Sequence, residues 1–114
     1  MLGRAALLLL ATTAANIFVP SVMADETGLD AIHAQRREGN KICMTSHFHS
    51  GSSSGQKTRK LAEAAAAQDW SGFTAWEYGT AWGSYRLAAS KTMECSQNGA
   101  TWSCTMQARP CKRR

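Results

Sequence analysis

Between Lys57 and Tyr78 the apolar positions recur at helical spacing. Ala62, Ala66, Trp70 and Phe73 lie four, four and three residues apart and share one helical face. Leu61 and Ala64 to Ala67 are strong helix formers, and no proline interrupts them. Gly72 opposes the helix by about 1 kcal/mol relative to Ala. Gly79 stands where a left-handed C-terminal cap is expected, so the pattern predicts one helix over 56–78. Small Ala side chains let a partner approach the first half of its face, and Trp70 and Phe73 supply bulk to the second.

After Gly79 the period changes to two. Gly83, Tyr85, Leu87 and Ala89 would share one face, opposite Trp82, Ser84, Arg86 and Ala88. The run 91–97 places Met93 with Cys95. The next run sets Trp102, Cys104, Met106 and Ala108 against Thr101, Ser103, Thr105 and Gln107. Asn98-Gly99 between these runs is a hairpin signal. The expected fold is α+β: one long helix packed on a three-stranded antiparallel meander in two layers, stapled by disulfides.

The N-terminal half shows weaker patterning. Residues 25–41 are polar and mixed in charge, and Ser50 to Gly55 reads by composition as a flexible connector. Residues 25–55 are therefore expected to form a flexible polar arm tethered through Cys43, with the folded unit over 56–114. Residues 1–24 read as a signal peptide. Arg4 is followed by the apolar run Ala5 to Ala15, the helix breaker Pro20, and small residues at Val22-Met23-Ala24. An uncleaved anchor is the alternative, since Ile17-Phe18-Val19 prolong the apolar stretch. Thr12, Thr13, Asn16, Pro20 and Ser21 interrupt it, however, and a spanning helix needs about 20 mostly apolar residues. A periplasmic or secreted location follows, with no transmembrane span after cleavage.

Export gives the four cysteines a meaning. In an oxidising compartment Cys43, Cys95, Cys104 and Cys111 read as two disulfides, and the absence of a C-x-x-C pair disfavours zinc. Four cysteines allow three connectivities. If the hairpin turn centres on Gly99-Ala100, Cys95 faces Cys104 and Met93 faces Met106; if it centres on Asn98-Gly99, Cys95 faces Trp102 and the bridge becomes diagonal. The first geometry favours Cys95–Cys104 and leaves Cys43–Cys111 to tie the arm to the C-terminal region. A 90-residue chain buries only about 60–65% of its unfolded surface, so such crosslinks matter.

The formal net charge of the 114 residues is +5, and removing Arg4 with the leader makes it +4. Arg109, Lys112, Arg113 and Arg114 crowd the C-terminal region. Lys57, Arg59 and Lys60 lie at the helix start, where positive charge opposes the macrodipole. Trp76 falls off the predicted helix face and Trp82 opposes Tyr85, so at least one aromatic should be exposed. Trp76 or Trp82, with Arg86 and the basic cluster, thus form a candidate contact surface for a protein or an anionic envelope polymer. Export argues against intracellular nucleic acid. A monomer is expected.

The string Trp70, Tyr78-Gly79, Trp82, Ala88, Cys95, Trp102-Ser103-Cys104 and Ala108-Arg109-Pro110-Cys111 resembles a pattern of small exported alphaproteobacterial proteins. The likeness covers about half of the chain, from Trp70 onward. It implies export and disulfide bonding and no particular activity.

One cluster has metal-ligand character. His47 and His49 flank Phe48 and project to the same side of an extended segment, so both imidazoles could reach a copper or zinc ion, with His33 as a third ligand. No acidic residue lies close in sequence to orient them. No cofactor motif is present. Catalysis is not expected: there is no G-x-S-x-G and no phosphate-cradling glycine loop, and Glu63, Asp69 and Glu77 fit a solvated helix face. The three function classes are therefore a non-catalytic binding domain, a metal-binding protein and a purely structural envelope protein.

Overall fold

The computed structural model describes residues 14–15 and 24–114, so nearly all of the expected leader lies outside the described residues. The elements are β1 (Gln35–Glu38), β2 (Lys41–Met44), β3 (His49–Gln56), α1 (Arg59–Tyr78), β4 (Ala89–Asn98), β5 (Thr101–Arg109) and β6 (Cys111–Arg113). Short 3-10 turns occupy Leu29–Ile32 and Thr80–Trp82. The class is α+β with one long helix, and the strands form two antiparallel sheets, ordered β1-β2-β6 and β3-β5-β4.

The helix begins at Thr58, whose side-chain oxygen accepts the Leu61 amide at 3.1 Å and caps the first turn. Ala62, Ala66, Trp70, Thr74 and Tyr78 are its buried residues, at a strict spacing of four. Phe73, expected on that face, is 45% exposed because Thr74 and Tyr78 continue the stripe instead. Ala62, Ala66 and Trp70 pack on Cys104, Met106 and Ala108 of β5 and form the main core. Gly79 ends the helix at φ +104°, ψ 163°, outside the left-handed helical region expected for it. The chain at Asp25 and Glu26 crosses directly over it: a Cβ there would meet the Asp25 carbonyl oxygen at 2.3 Å.

Two expectations about the strands are corrected. Residues 50–55 are not a flexible connector but most of β3, paired with β5 from His49↔Ala108 to Ser53↔Cys104. Glycine here serves packing: a Cβ on Gly51 would sit 2.3 Å from the Ala66 carbonyl oxygen, so only glycine lets α1 lie this close. The serines bond outward from the strand. Ser53 Oγ donates to the Ala62 carbonyl at 2.6 Å, and the Ser52 amide donates to Asp69 at 2.9 Å. The second correction concerns residues 83–88, which are irregular chain with a turn at 85–87 rather than a strand. A Cβ on Gly83 would meet the Ala75 side chain at 2.9 Å, and the chain here folds onto α1. The third strand of the main sheet is therefore β3, from the segment expected to be an arm.

The β4–β5 hairpin turns at Gly99-Ala100, with Asn98↔Thr101 and Cys95↔Cys104 as partners. The bridges are Cys95–Cys104 and Cys43–Cys111, the latter joining directly opposed residues of β2 and β6. Among the described residues no helix is long and apolar enough to cross a membrane.

Candidate functional site

Two groups of polar side chains stand out, and both depend on the N-terminal strands. The first is built on the β1–β2 hairpin. Arg109, expected at the surface, is 6% exposed. Its guanidinium forks onto Glu38, with Nη1 donating to Oε2 at 2.6 Å and Nη2 to Oε1 at 2.9 Å. Nη1 also donates to the Met44 carbonyl at 2.7 Å, and Nε to Ser90 Oγ at 3.1 Å. Pairing strand β5 with β1 and β2 through one side chain explains the burial: Arg109 locks the two sheets together. That bond holds the Glu38 carboxyl at about 2, well below its ordinary 4.5.

Trp82 is also withdrawn from the surface. It is fully buried with Tyr78 and Met44, because the 3-10 turn that replaces the expected strand swings it inward. Lys112 lies over its ring, 5.2 Å from the centroid, and pairs with Glu26. Trp76 alone of the two tryptophans is exposed, at 73%, stacked on Phe73.

Arg86 and Arg113 do come together. With Lys41, Leu87, Asn40 and Glu38 they line a cleft of about 240 Å³ between the small sheet and the turn at 85–87. Lys41 Nζ donates to the Leu87 carbonyl at 2.6 Å, which fixes that turn and the ammonium with it. Among the described residues Glu38 is the one carboxylate lining the cleft, and Arg109 occupies both its oxygens. Arg114 is exposed and lies outside the lining, its amide donating to the Asn40 carbonyl.

The second group gathers the three histidines. His33 stacks on His47 at 3.9 Å between centroids, and His47 meets His49 edge-on at 4.9 Å. His49 is buried: Nε2 lies 3.1 Å from a Glu77 carboxylate oxygen and 3.3 Å from the Tyr78 hydroxyl, and Nδ1 lies 2.9 Å from Thr74 Oγ1. An ionised carboxylate only accepts, so the neutral ring carries its proton on Nε2 toward Glu77 and accepts at Nδ1 from Thr74. Burial lowers the pKa of His49 and, with the His33 charge, that of His47, while Glu77 acts in the opposite sense on both. Burial and the neighbouring Glu77 push the Tyr78 hydroxyl up to about 12.

Hydroxyl, imidazole and carboxylate in line resemble a nucleophile relay in outline. Thr74, however, has no solvent exposure, so no substrate carbonyl reaches its oxygen. Among the described residues no group of three or more His, Cys, Asp or Glu has the arrangement to hold a metal ion. Stacked imidazoles explain this. Ring lone pairs lie in the ring plane, so His33 and His47 aim theirs side by side rather than at a common point, and His49 is committed to Thr74 and Glu77. Glu77 is the acidic partner that proximity in sequence could not supply; it sits one turn beyond Thr74 on the face that meets β3. Lys41 and Glu38 were missed as well, although Gly39-Asn40 between them is a two-residue hairpin signal, with Gly39 at φ +62°.

The chain matches no protein-family model, no curated protein and no solved structure, so the two polar groups themselves carry the functional reading.

Proposed function

We propose that this chain is a small, non-catalytic, exported binding domain of the cell envelope, and that its basic cleft takes an anionic group of a polymer or protein partner. One observation carries the reading: Lys41, Arg86 and Arg113, far apart in sequence, line one cleft whose one carboxylate among the described residues, Glu38, is already neutralised by Arg109. Positive charge collected in a concave, partly apolar setting attracts anions more strongly than scattered surface charge does. Two disulfides are compatible with an extracytoplasmic setting. The absence of solvent access to Thr74 supports a binding role over catalysis.

Binding of polyphosphate, with neutral dextran as control, tests the proposal. Affinity should fall steeply as salt rises, and the Arg86→Ala/Arg113→Ala variant should lose about tenfold or more at low salt. Equal affinity in the double variant, or equal binding of dextran, would sink it.

A further inference from the structure

The histidine cluster lies apart from the basic cleft and points to a different property. The 3-10 turn Leu29–Ile32 has no buried residue, and Leu29 and Ile32 are 50% and 75% exposed. The chain around it is fixed on either side. Thr27 donates its amide to the Tyr78 carbonyl at 3.0 Å and its hydroxyl to the Glu77 carbonyl, and the Thr45 amide donates to the Ala34 carbonyl at 2.9 Å. Between these points Asp30 is tied to Gln35 of β1, whose side-chain amide donates to its carbonyl and its carboxylate at 3.0 Å each, and His33 reaches the end of α1, stacked on His47 and edge-on to Tyr78 at 5.7 Å. We propose that this stack is a proton-operated latch: acid releases residues 28–33 from the end of α1 and uncovers His47, His49 and Tyr78.

The charge balance of the cluster gives the direction. Facing the three rings are Glu77 and Tyr78 from α1, with Asp30 on the 3-10 turn acting on Tyr78 and accepting from Gln35. Glu77 touches His49, 3.1 Å away, so one proton on the cluster has a carboxylate beside it. Among the described residues no carboxylate bridges the His33–His47 pair, and protonating both rings places two positive charges face to face at 3.9 Å. Unprotonated, the two rings attract by stacking. Protonated, they repel, and the segment with the fewest other attachments yields first. Burial already disfavours the charged form of His47 and His49, so the pair discharges its repulsion by moving rather than by sharing the charge.

Proton NMR of the oxidised protein tests this. The ring-to-ring cross-peaks between His33 and Tyr78 should be present at pH 7.5 and lost by pH 5.5, with exchange of the His33 amide rising at least tenfold beyond its intrinsic change. Amides of α1 and β5 should keep their protection, which separates the latch from global unfolding. His47→Phe keeps a flat ring without a titrating nitrogen and should hold the latch closed at pH 5.5; His33→Phe is the mirror variant. Cross-peaks that persist in the natural protein at pH 5.5, protection that falls in α1 and β5 alike, or opening of the Phe variants on acidification would each overturn the proposal.

Discussion

The two sheets of this protein are held by different forces. The main unit, α1 on β3-β5-β4, is an apolar interior: Ala62, Ala66 and Trp70 against Cys104, Met106 and Ala108. The small sheet β1-β2-β6 encloses little of its own. Cys43 and Cys111 cluster with Ala89 and Leu87, Met44 and Ile42 of β2 pack on Tyr78 and Trp82, and the sheet is fastened by one disulfide and by the Arg109–Glu38 fork. Where a twenty-residue helix covers a sheet, burial of apolar surface is the main force, and the Cys95–Cys104 bridge adds one link across the β4–β5 hairpin. Strands of three and four residues offer too little surface, and covalent and ionic links take over.

Substitutions at each fastening should separate the two regimes. The largest effect is expected from Trp70→Ala, which empties the centre of the main core and breaks the indole bond to the Ala108 carbonyl. A loss of about 3–5 kcal/mol is expected in denaturant unfolding. Removing the Cys43–Cys111 bridge by Cys43→Ala/Cys111→Ala should cost about 2–4 kcal/mol, read the same way. Hydrogen exchange should then show β1, β2 and β6 opening while α1 and β5 stay protected. If all the strands open together, the two regimes are one.

Glu38→Gln should have the smallest effect, about 1–2 kcal/mol, since it leaves Arg109 buried with weaker partners. Its signature is in the pH dependence. Glu38 is held at about 2 against an ordinary 4.5, so it binds a proton less readily folded than unfolded. The stability it provides is complete above 4.5 and is lost as pH falls through about 2. Acid unfolding curves should therefore be flatter in the Gln variant over that window. Identical slopes would show that the fork contributes nothing to acid stability.

What could be read in the sequence follows the same division. The helix, the Gly99-Ala100 hairpin and the Cys95–Cys104 pairing rest on local periodicity, and local periodicity is visible in a chain. Strand β3 was hidden because Ser50 to Gly55 has the composition of a linker, although Gly51 is there to admit α1 and Ser53 to bond it. Arg109 looked like a surface residue by type, and Trp82 by the strand period that set it opposite Tyr85; Glu38 makes the first interior, and the 3-10 turn with Tyr78 and Met44 the second. Of the candidate cleft, Arg86 and Arg113 were legible as basic residues of one surface, and Lys41 and Glu38 were not. The histidines were legible as a cluster, yet Glu77, Thr74 and Tyr78 complete it from a helix beginning ten residues after His49.

The bridges are nested, since Cys43–Cys111 encloses Cys95–Cys104. A catalyst that oxidises thiols in the order they emerge would join Cys43 to Cys95 first, a pairing this architecture rejects. Maturation in good yield therefore calls for a shuffling activity, or for the hairpin to close before the first cysteine finds a mate.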